Sequence, residues 1–153
     1  MKRLEYHEIE KIIELHGRFL AGEGQGVKID LENANLYSAN LIEVNLKGAC
    51  LVGANLKRSL LCSADLEDIN LDGAEFKHAI LEGANLKHAS LKGASFKGAN
   101  LEKADLRGAD LENADLESAS LAGVLYDRET RWPEGFDPID AGTQYFKDHP
   151  VER

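Results

Sequence analysis

From Leu31 to Leu121 every fifth residue is Leu or Phe, nineteen positions without a break in phase, with Phe only at 76 and 96. Two residues before each stands a small residue, most often Ala, with Ile29, Val44, Ser59 and Ile69 as the larger or polar exceptions. The unit reads A-(N/D/S)-L-x-x, as in ANLYS, ADLED and ADLRG, and its remaining positions are mostly polar or Gly. A period of five fits neither regular element. On an α-helix each step of five rotates the Leu by about 140° and scatters the column around the cylinder. On a flat strand it throws successive Leu onto opposite faces. Only a backbone that turns a corner once per unit keeps all nineteen together. The Leu and Ala positions then point inward and the other three outward. Gly recurs two residues after the Leu, at 48, 53, 73, 83, 93, 98, 108 and 123, where a repeated turn would ask for it.

The flanks break the period. Apolar residues at 9, 12, 13, 19 and 20 form a helical stripe within Leu4 to Leu20, ended by Gly22, Gly24 and Gly26. The stripe predicts an amphipathic helix capping the first coil, which would otherwise expose apolar side chains and unpaired backbone, with a partner-binding helix as the alternative. His7, Glu8, Glu10 and His16 are expected on its solvated face. After Val124 the repeat decays into TRWPEGFDP, where Trp132 and Phe136 offer a lid and Pro133 and Pro138 are expected to block further strand pairing.

These residues resemble the pentapeptide-repeat proteins, whose consensus is A(D/N)LXX, over residues 29–123. EIEKIIELHGRFLAGEGQGVKIDLENANL is similar to the helical lead-in of many bacterial members, and YDRETRWPEGFDPIDAG to a tail common on cyanobacterial ones. The resemblance implies an all-β fold: a right-handed, four-sided (quadrilateral) β-helix with 20 residues per coil. The chain divides accordingly into a helix and connector (1–28), the β-helix (29–126) and a C-terminal cap and tail (127–153). Some members are dimers that resemble duplex DNA in shape and charge and bind DNA topoisomerases.

Composition narrows the function. The chain has 153 residues and a formal charge of -9. That charge argues against direct binding of nucleic acid or of an anionic membrane, both of which want a basic face. Two Cys and the absence of a long apolar run predict a soluble, cytoplasmic protein, with a monomer favoured. No cofactor is expected. Four-sided winding puts residues 10 apart on opposite faces, so His78 and His88 cannot share a metal, and Cys50 and Cys62 cannot pair. The Asn/Asp of each unit recur by the repeat rule and make no acid–base dyad. Without a convergent site the chain reads as non-enzymatic.

Two outward columns depart from the monotony. Lys57, Lys77 and Lys97 stack on one face with Arg58 and His78 beside them, forming either a solvated edge or a site for an anion or acidic partner. On the next face Ile42, Leu60, Cys62 and Ile80 cluster, with Leu60 and Ile80 replacing the usual Asn or Asp. Aliphatic residues suit exposed strands in their own right, and four together also make a patch for a protein partner. The leading expectation is a rigid, non-catalytic protein-interaction scaffold. The alternative is a DNA mimic that binds a topoisomerase. Residues 29–123 carry 15 acidic and 9 basic side chains, a net of -6, and the lysine column interrupts that acidity.

Overall fold

A computed structural model describes residues 3–147. Each unit from Leu31 onward closes a four-residue turn, with the amide of the next unit's Ala or its substitute donating to the Leu carbonyl, as in Ala34 to Leu31 at 3.0 Å. The third residue of every one of the nineteen turns has φ between 54° and 70°. A single left-handed residue at that place defines a type II turn. Eight of these residues are Gly and eleven are not, among them Glu43, Arg58 and Lys103. The sequence therefore shows only part of the rule, because the fold holds bulky side chains in a conformation that disfavours them.

Coils pair in parallel with a fixed register. Asp30 bridges Cys50, Asn35 bridges Asn55, and the series continues in steps of 20 residues to Asp105 and Leu125. Four turns fall within each 20, so a coil comprises four units. The Leu amide donates to the coil below and the preceding residue's amide to the coil above (Leu31 to Cys50, 2.8 Å; Cys50 to Ile29, 3.1 Å). Phe76 and Phe96, one coil apart, stack with centroids 4.8 Å apart and planes within 4°, which matches the spacing of hydrogen-bonded strands. The Leu/Phe column from Leu36 to Leu111 is essentially buried, and most of the Ala column lies beside it. Ser59 is buried in that Ala column and satisfies its hydroxyl on the Leu56 carbonyl at 2.6 Å.

The Asn/Asp column has a backbone role. At all twelve units that carry Asn or Asp before the Leu, the side chain accepts the amide two residues on, as in Tyr37 to Asn35 and Arg107 to Asp105 at 3.2 Å. That amide is the one that neither turn nor ladder uses, so the Asx contact completes the accounting of donors.

Left-handed side chains lean over the coil that follows. A Cβ built on Gly98 would sit 2.6 Å from the His78 ring, and one on Gly108 would sit 2.3 Å from His88. Gly98→Ala should therefore cost more than the roughly 1–2 kcal/mol of a left-handed alanine. Removing the ring as well, in His78→Ala/Gly98→Ala, should recover the excess in chemical denaturation.

Helix α1 (Tyr6–Leu20) lies against the first coil. Ile9 is buried, Ile12 and Ile13 pack on the core, and Leu4 donates to the Asn35 carbonyl at 3.1 Å. His16 overturns the expectation of a solvated position. Its ring is fully buried, Nδ1 accepts from the Ile29 amide at 3.1 Å, and Nε2 meets the Lys47 carbonyl at 3.0 Å. Those partners fix the tautomer with the proton on Nε2. Phe19 and Leu20, expected in the buried stripe, remain largely exposed. The return connector passes so close to α1 that a Cβ on Gly26 would fall 2.0 Å from the Phe19 nitrogen.

The carboxyl end also departs from expectation. Arg131, ahead of both prolines, bridges Asp110, and pairing resumes beyond them, where β1 (Leu125–Tyr126) pairs in parallel with β2 (Gln144–Tyr145). Pro133 and Pro138 fall in the loops between these contacts and so remove no ladder donor. The register lengthens to 21 between Asp110 and Arg131 because the Asp127–Thr130 turn adds one residue. Partial burial pushes the Asp127 carboxyl up, but hydrogen bonds from the Gly108, Glu129 and Thr130 amides and the Thr130 hydroxyl hold it below its usual range. Trp132 packs edge-on to Tyr126 at 5.6 Å and stacks with Phe136 at 5.0 Å.

Candidate partner-binding surface

Ladder pairing places Asn40, Leu60, Ile80 and Asn100 in one column down a single face. Ile42 and Cys62 stand beside it, two residues further along successive coils. Ile42 is 43% exposed and Ile80 36%, while Leu60 and Cys62 are half-buried. The structure thus brings together all four residues of the expected patch. It also extends them. At the amino end Asn40 and Ile42 form one wall of a groove of about 420 Å³, whose other wall is α1 through Tyr6, Ile9, Glu10, Ile13 and Glu14. Tyr6 is 65% exposed. Its pKa is raised by a hydrogen bond to Glu10 and by that carboxylate's charge. Sequence reasoning kept a partner-binding helix only as the alternative to a cap and did not place this wall beside Ile42.

Leu60 and Ile80 carry a local cost. They occupy the position where Asn or Asp would accept the amide two residues on, so Cys62 and Glu82 lose the Asx contact that the twelve regular units have. Ile80 stays exposed in spite of it, while Leu60 is half-buried.

The lysine column is divided. Lys57 pairs with Glu75, and Lys97 pairs with Glu117 at 2.6 Å. The hydrogen bond and charge of Glu117, with the charge of Asp115, raise the Lys97 pKa. Lys77 and Arg58 are exposed and make no ion pair among the described residues. The stack is therefore no continuous cationic ladder, and its unpaired charge is confined to Arg58 and Lys77 at the corner before Leu60 and Ile80. Among the described residues no three His, Cys, Asp or Glu side chains converge on a metal-sized site. No described helix is long and apolar enough to cross a membrane.

The family model for pentapeptide repeats matches with eight copies across residues 28–58, 54–93 and 94–124. The chain belongs to the pentapeptide-repeat family. Its fold is accordingly the right-handed β-helix of that family. Among solved structures, the pentapeptide-repeat protein Rfr23 from the cyanobacterium Cyanothece 51142 is 42% identical, with a TM-score of 0.60, over 61% of this chain and 63% of its own length. HetL from Nostoc sp. strain PCC 7120, a pentapeptide-repeat protein involved in heterocyst differentiation regulation, is 32% identical over 64% of this chain and 60% of its own, with a TM-score of 0.42. QnrB1, a plasmid-mediated fluoroquinolone resistance protein, is 15% identical over 75% of this chain and 83% of its own, with a TM-score of 0.33. No curated protein matches.

Proposed function

We propose that this pentapeptide-repeat protein is a non-catalytic interaction module: a four-sided rod, capped at its amino end by α1, that binds a protein partner through the strip Tyr6–Ile42–Leu60–Cys62–Ile80. The observation that carries the reading is the pair Leu60 and Ile80, half-buried and exposed respectively, at positions where the fold itself favours Asn or Asp. Apolar contact supplies the binding energy, at roughly 25 cal/mol per Å² of surface removed from water.

Replacing Ile80 by Asn separates function from fold. The substitution restores the Asx acceptor for Glu82 and continues the column into Asn100. Stability should hold or rise by up to about 1 kcal/mol, while partner capture from the native cytosol should fall at least tenfold. Undiminished capture would refute the strip. The competing DNA-mimic reading needs a broadly acidic surface, and it is opposed by the exposed Arg58 and Lys77 standing beside the strip.

A further inference from the structure

The rod's backbone limits how a partner engages this face. Between coils, amides and carbonyls along the Leu60 and Ile80 column are already paired with the coils above and below (Leu60 to Ala39, 2.9 Å; Ile80 to Ser59, 3.0 Å; Leu61 to Ile80, 2.7 Å). A partner strand has no free edge to join here, so recognition falls to side chains. Ile42, Leu60 and Ile80 descend the rod by about 4.8 Å per coil, close to the roughly 5.4 Å pitch of an α-helix. A helix lying along the rod axis therefore presents residues i, i+3/i+4 and i+7 to successive coils. Its leading turn reaches the groove beside α1.

Charge fixes the helix's flanks. The corner preceding the strip carries Arg58 and Lys77, exposed and without ion pairs among the described residues. The opposite side carries Glu43 and, following Ile42 and Cys62 in their column, Glu82, both exposed and without ion pairs among the described residues, and the groove adds Glu14. Resting on the interaction-module reading, we infer that the occupant is an amphipathic α-helix of a partner protein, its apolar stripe bordered by basic residues on one flank and acidic residues on the other. Uniformly basic or uniformly acidic helices meet repulsion along one edge.

Three synthetic 18-residue helical peptides with an identical Leu stripe test this by calorimetry on the full chain: Lys on one flank with Glu on the other, Lys on both, and Glu on both. The mixed peptide should bind at least tenfold more tightly than the others, and Arg58→Glu and Glu82→Lys should each weaken it several-fold. Both substitutions are on the surface, and unchanged melting curves confirm that the fold persists. Equal or tighter binding of the all-Lys peptide, or no binding by any peptide, overturns the inference. If peptides fail while Ile80→Asn still abolishes partner capture, the helix is wrong and the interaction module stands; if Ile80→Asn also leaves capture intact, both fall.

Discussion

Phe76→Ala should lower the unfolding free energy by about 3–5 kcal/mol, the cost of an unfilled cavity in a packed core. Phe76 is fully buried and stacks face to face on Phe96, so truncation removes its own burial and strips one face from its neighbour. The rod cannot collapse around the gap, because ladder hydrogen bonds hold the coils at a fixed spacing above and below. Lys77→Ala, one residue away and exposed, should change stability by less than about 0.5 kcal/mol. Urea denaturation of the two variants checks the contrast, and equal small effects would refute the assignment of inside and outside.

His16→Ala should cost about 2–4 kcal/mol, although the residue lies in a flank and not in the repeat. The imidazole is a polar link between α1 and the first coil, and its loss leaves the buried Ile29 amide and the part-buried Lys47 carbonyl without this partner, at roughly 1–3 kcal/mol each. His16→Gln, which keeps an acceptor and a donor on a shorter frame, should recover part of the loss. A His16→Ala protein as stable as the parent would show that α1 is a detachable element and not a cap.

The repeat was legible because its period is a geometric statement: only one kind of backbone keeps a five-residue Leu column on one side. The turn was half legible. Gly at eight of nineteen corners announces a left-handed residue, but Arg58 and Lys103 occupy the same conformation, imposed by the coils around them. The Asn/Asp column was visible as a pattern but not as a mechanism, since its acceptor role appears only once every other amide has a partner. His16 was misread because a polar residue next to an apolar stripe looks solvated until two backbone groups from the first coil arrive to meet it. The prolines misled for a related reason. They bar pairing only at their own positions, and the chain resumes the ladder after them at Gln144–Tyr145. Of the surface, the four-residue strip could be read by counting fives, whereas the Tyr6 wall of the groove depends on how α1 docks, which no period encodes.

The most direct test of the central claim is the affinity of wild type and Ile80→Asn for the captured partner, measured across ionic strength. An apolar strip with short opposed charged flanks predicts wild-type binding that changes little with salt, and weakened binding at every salt concentration for Ile80→Asn. Binding that collapses steeply as salt rises and ignores Ile80→Asn would contradict it, and would mark the rod as an acidic mimic.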